Sequence, residues 1–203
     1  KLLRGFAIPS IIAMLVSSLY NIVDQIFIGQ GVGYLGNAAT NVSYPLTTIC
    51  LAIALLIGIG SASNFSLSLG AGDKEKAARV TGNAVCMMFV LGILYAVLIE
   101  IFLLPLLNAF GSTPDVLPYA ESYTRITAIG MPLLIVTNAM SNLARADGSP
   151  KYSMICTLAG AIINTILDPL FIFTFDMGMA GAAWATIIGQ VVSGIMVLGY
   201  LAK

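Results

Sequence analysis

Six apolar stretches follow one another along the chain, at about 6–30, 44–69, 79–107, 116–143, 152–174 and 180–201. Each is long enough to cross a bilayer, for which roughly 20 helical residues suffice. The polar segments between them carry the breakers. Residues 31–43 hold three glycines, 70–76 is the most charged segment, and 111–115 and 145–151 are turns with glycine and proline. Asp176-Met177-Gly178 closes the fifth stretch. The pattern predicts an all-α, polytopic membrane protein with six transmembrane helices. Pro9, Pro45, Pro132 and Pro169 lie in or near the first, second, fourth and fifth spans, where a missing backbone donor bends a helix. Pro169 follows Asp168 directly, so the carbonyl freed at Thr165 would lie beside an acid, which suits a cation.

Composition sharpens this picture. Of 203 residues, 59% are hydrophobic and 9% charged, with a mean hydropathy of +0.97. A soluble domain carries about 25% charged residues, so a water-soluble fold of this size is excluded. Acidic and basic residues balance at nine each, and nothing calls for a nucleic-acid partner. The placement of the bases is informative. Lys1, Arg4, Lys74, Lys76, Arg79, Arg145, Lys151 and Lys203 all fall on one side of the predicted topology, and the alternate connections carry no Lys or Arg. By the positive-inside rule both termini face the cytoplasm, in a multi-pass protein of the cell (inner) membrane. The ninth base, Arg125, lies inside span four, four residues after Glu121, which predicts a local ion pair. Glu100, near the outer end of span three, is placed to snorkel or to reach Arg125 across the hairpin. Cys50, Cys86 and Cys156 lack metal-ligand spacing and read as small side chains in helix packing. The chain has no histidine, which excludes His-ligated metals and Ser–His catalysis.

Asp24 and Asp168 sit inside otherwise apolar spans. An acid there is costly and points to an ion or proton pathway. Spans one and five run outward and span six runs inward. Asp24 and Asp168 lie about six residues before the outer ends of their spans and Thr186 about six after its start, so all three share a level on the order of 10 Å below the outer boundary. Asn164 lies one turn deeper than Asp168 on the same face. Two carboxylates, an amide and a hydroxyl form a hard, oxygen-rich set that suits sodium. It suits a proton equally, because two nearby carboxylates cannot both stay ionised cheaply in a low dielectric. Tyr20, Asn21 and Tyr123 are candidates for lining a substrate cavity beside the acids. The small residues of span six (Gly178, Gly181, Ala182, Ala183, Ala185, Gly189, Gly194) indicate close packing that lets Thr186 approach a neighbour.

Several segments also resemble the MATE family of multidrug and toxic compound extrusion transporters. Asn21-Ile22-Val23-Asp24-Gln25-Ile26-Phe27-Ile28-Gly29 is similar to that family's first-helix signature, and 70–77 to its loop between helices two and three. Arg145-Ala146-Asp147-Gly148 with Tyr152-Ser153-Met154 resembles its loop into helix five. Asn164 to Asp168-Pro169 and Gly181 to Thr186 resemble helices five and six. The motifs occur in order over essentially the whole chain. The resemblance implies a secondary antiporter, not an enzyme, that exports organic cations in exchange for sodium or protons and uses no other cofactor. It implies two lobes of six helices, of which residues 1–203 correspond to the N-terminal one, with the C-terminal lobe as the missing partner. It places the cation or proton site at Asp24, Asn164, Asp168 and Thr186, with Tyr123 nearby. The alternatives are a lipid-linked oligosaccharide flippase of the wider superfamily, disfavoured because Arg125 is the one intramembrane base, and an intramembrane enzyme, for which catalytic motifs are lacking.

Overall fold

The computed structural model describes the backbone of residues 2–201 and the side chains of 7–200. Lys1, Arg4 and Lys203, on which part of the orientation rests, lie outside the described side chains. The helices are α1 (Leu2–Gly31), α2 (Tyr34–Gly70), α3 (Lys74–Ala109), α4 (Leu117–Ala146), α5 (Pro150–Pro169) and α6 (Gly178–Leu201), and α5 runs on into a π-helical turn, Leu170–Thr174. All six are long and apolar enough to cross a membrane. The chain is an all-α, multi-pass membrane protein.

Two element boundaries differ from the expected ones. The glycine-bearing segment 31–43 is not a connection. Gly33, at φ +90°, reverses the chain, and α2 starts at the next residue. Asn37, Thr40 and Ser43 then recur on one helical face, and the hydroxyls of Thr40 and Ser43 donate to the carbonyls of Asn37 and Ala39 at 2.9 Å. Polar residues that read as a loop are thus accommodated in a helix. At 37 residues, or roughly 55 Å at 1.5 Å per residue, α2 is too long to lie wholly within ~30 Å of hydrocarbon. Likewise α3 begins at Lys74 rather than 79. The Asp73 carboxylate caps it by accepting the Lys76 amide at 2.9 Å.

Pro45 and Pro132 lie within α2 and α4. The departure from helical geometry falls elsewhere, at Phe102 (φ −105°, ψ 18°) in α3. Pro105 follows three residues later and lacks the N–H that would bond the Ile101 carbonyl. Pro169 ends α5, and the helix widens into the π turn beyond it.

The central helix is α4, which packs against α2, α3 and α6. Beyond it, α6 packs on α5 and α5 on α1. Leu46, Met88, Ile135, Met140 and Leu143 are fully buried between them. Lipid tails give no hydrophobic drive for helices to associate, so close van der Waals fit holds such a bundle. One of the tightest crossings is between α5 and α6. A Cβ on Gly189 would lie 2.7 Å from the Gly160 carbonyl oxygen, and one on Gly160 would lie 2.8 Å from that of Gly189. Only glycine permits the two backbones to touch there. Cys50 and Cys156 are packed inside as expected, but Cys86 is exposed, because its side of α3 meets no neighbouring helix.

Candidate functional site

The α5–α6 contact at Gly160 and Gly189 sets the geometry of the polar layer. One turn along each helix, it brings Asn164 against Thr186. The Asn164 amide donates to Thr186 Oγ1 at 3.4 Å and to Asp168 Oδ1 at 3.3 Å. Thr186 donates its own proton to the Ala182 carbonyl at 3.0 Å, so its oxygen is left as an acceptor. Asp24 reaches the layer from α1, because α1 packs mainly on α5 and meets its sequence neighbour α2 only near the turn between them. Asp24 and Asp168 lie near each other in this layer. Tyr20 and Tyr123 flank this acid pair, with the Tyr123 hydroxyl beside Thr186. Asn21 is placed differently. It is exposed, donates to the Ser17 carbonyl at 2.7 Å, and faces the groove between α1 and α2.

The electrostatics follow from a count of donors and acceptors. Asp168 is 0% exposed, Asn164 3% and Asp24 7%. Buried polar atoms normally find partners, yet Asp24 Oδ1, Asp168 Oδ2 and Asn164 Oδ1 have none. As carboxylates, the two acids cannot donate to each other. The layer therefore has oxygen acceptors in excess, two of them on acids that face one another in a low dielectric. One shared proton, or one small hard cation among these oxygens, corrects the imbalance. The donor set fits sodium: carboxylate, amide and hydroxyl oxygens, with no sulfur or nitrogen ligand among the four side chains.

Comparison with known proteins bears on the same segments. The MatE family model matches residues 9–170, a span that contains Asp24, Asn164 and Asp168. The chain belongs to the MatE family. Among its relatives, the multidrug export protein MepA of Staphylococcus haemolyticus is 30% identical over the whole of this chain, and MepA of Staphylococcus aureus 29%. In both cases the chain spans about 45% of the relative's length. A solved outward-facing multidrug resistance MATE family transporter of the MOP superfamily is 28% identical, with a TM-score of 0.93 over 99% of this chain and 44% of that one. A MOP superfamily transporter from Pyrococcus furiosus matches equally closely, at 28% identity and a TM-score of 0.92 over 99% of this chain and 44% of its own, and its binding pocket is described as of reverse polarity. These relatives are transporters, not enzymes.

Away from the acid layer, the polar groups of this MatE chain are mostly paired. Arg125 meets Glu121 at 3.0 Å and Glu100 at 3.7 Å, so both contacts foreseen for that arginine are present. Ser43 and Thr124 share a buried hydrogen bond of 2.6 Å between α2 and α4. The Tyr95 hydroxyl donates to the Leu46 carbonyl at 2.7 Å.

Sequence reasoning missed one polar neighbour of the acids, Gln25, and the two α2 residues behind it. Gln25 Nε2 donates to Asp24 Oδ2 over a long 3.4 Å, and Thr40 donates to Gln25 Oε1 at 2.9 Å. Asn37 lies one turn from Thr40, against Gly29. The signal for the α2 residues is the polar recurrence at 37, 40 and 43, which has helical spacing although the glycines around it favour a loop.

Proposed function

We propose that this chain is the N-terminal lobe of a secondary active antiporter that exports organic cations and related drugs in exchange for sodium or protons. Asp24, Asn164, Asp168 and Thr186 hold the coupling cation, and Tyr20 and Tyr123 line the space beside it. The observation that carries this reading is the trio of unpartnered buried oxygens on Asp24, Asn164 and Asp168. A layer built only for packing would pair them, since each unmet buried acceptor costs about 1–3 kcal/mol. Placing the site near the outer boundary, with both termini cytoplasmic, follows from the charge asymmetry.

A cation in this layer would neutralise the acid pair and accept oxygens from three helices at once. Releasing it leaves two like charges in a low dielectric, a state that favours rearrangement of α1 against α5 and α6. That difference in stability is what lets ion movement do work on a second solute. Arg125, engaged by two carboxylates, leaves little positive charge for a pyrophosphate, which argues against the flippase reading.

The test is Asp168→Asn in the two-lobe protein. The variant is expected to insert normally and to lose ion-driven dye export in vesicles, under an imposed sodium gradient at constant pH and under an imposed pH gradient without sodium. Unaltered export in both arms rules out the site assignment. Which arm drives the unmodified protein identifies the coupling ion.

A further inference from the structure

The geometry points to Gln25, held by Thr40, as a gate between the acid layer and the outer groove. It sets how readily the coupling cation exchanges with the outside. The inference rests on the cation-site reading above and deepens it.

α1 and α2 run antiparallel from the Val32–Gly33 turn, and residues equidistant from that turn meet: Gly29 with Asn37, Ile28 with Gly36, Gln25 with Thr40. Among the described residues, Thr40 to Gln25 is the one side-chain hydrogen bond joining α1 to α2. It lies at the level of the acids, because Gln25 is next to Asp24. The Gln25 amide thus spans two environments. Its nitrogen faces Asp24 Oδ2 at 3.4 Å, well beyond the best hydrogen-bond length, and its oxygen accepts from Thr40 at 2.9 Å.

On the far side of that amide lies an open groove of about 480 Å³, lined by Asn21, Ile22, Gln25, Ile26, Gly29 and Asn37. Gln25 therefore belongs to both the acid layer and the groove wall. Next to it, the buried Asp24 Oδ1 has no partner. A cation leaving Asp24 for the groove passes the Gln25 amide, which lines both. Thr40 divides its proton between Gln25 Oε1 and the Asn37 carbonyl, both at 2.9 Å. It can therefore release the amide without being left unpaired itself. Such a shared donor makes a latch that opens at low cost.

Gln25 and Thr40 are positioning residues, so the test reads ion exchange separately from drug binding. Purified two-lobe protein in vesicles is assayed for dye export against external coupling-ion concentration, as sodium at constant pH and as pH without sodium. Thr40→Val and Gln25→Leu are expected to move the half-saturating ion concentration about five-fold, the scale of one lost hydrogen bond. The KM for dye should stay unchanged, and Thr40→Ser, which keeps the hydroxyl, should behave as the unmodified protein. If Thr40→Val and Gln25→Leu keep the original ion dependence while Asp168→Asn loses coupling, the gate is wrong and the cation site stands. If Asp168→Asn keeps coupling, the site itself is wrong. A fall in maximal rate alone, with ion dependence unmoved and Thr40→Ser equally slow, makes the contact structural and overturns the gate.

Discussion

The two sides of the bundle treat buried polarity in opposite ways. Between α2, α3 and α4, Ser43 is bonded to Thr124 and Tyr95 to a carbonyl. Between α1, α5 and α6, three buried oxygens on Asp24, Asn164 and Asp168 have no partner. Both regions lie in the same apolar environment, so solvent does not explain the contrast. Satisfied polar groups fix helix positions and ask for nothing more. An acceptor surplus is a standing demand for positive charge, and under the cation-site proposal it is where ion occupancy alters stability. Under that proposal the α2–α4 side is the frame, and α1, α5 and α6 are the working part.

The contrast can be broken most severely at the α5–α6 crossing. Gly189→Val would drive a branched side chain into the Gly160 backbone, 2.7 Å from its would-be Cβ. It is expected to lower stability by at least about 3 kcal/mol and to separate Asn164 from Thr186. Thermal unfolding in detergent and ion-driven export should fail together; a stable variant that still couples would show the crossing does not set the site.

A smaller effect is expected in the paired half. Ser43→Ala leaves the Thr124 hydroxyl buried without a partner, for a loss of about 1–3 kcal/mol. Adding Thr124→Val should restore most of that loss, since removing both members of a buried pair is nearly neutral. Coupling-ion dependence should stay as it was in both variants. A double-mutant cycle by thermal unfolding measures the first point, and an altered ion dependence would blur the line between frame and working part.

The smallest effect belongs to Arg125, whose side chain is 58% exposed in contact with Glu100 and Glu121. Arg125→Gln is expected to change stability by about 1 kcal/mol or less. Vesicle export should keep its ion dependence. A loss of coupling there would extend the working half across α4.

Much of this was legible in the sequence. Hydropathy marked six crossings, and counting residues from the span ends put Asp24, Asp168 and Thr186 at one expected level, with Asn164 one turn deeper. The Glu121–Arg125 pair followed from helical spacing. The start of α2 was not legible. Asn37, Thr40 and Ser43 lie among glycines, and polarity with glycine reads as a loop unless the single turn at Gly33 is known. With that helix misjudged, the bridge from Gln25 to α2 could not be foreseen. The exposure of Cys86 was equally hidden, because α3 is apolar on its lipid and protein sides alike.

The sequence by itself determined the membrane class, the number of crossings and the spacing of polar side chains along each recognised span, since a helix rises a fixed ~1.5 Å per residue. It did not determine which helices are neighbours or how each is turned about its axis. A segment that is apolar all round carries no stripe to say which face looks inward. The tertiary structure decided that through glycine contacts such as Gly160 on Gly189. Backbone fit, not hydropathy, chooses partners where lipid solvates every face equally.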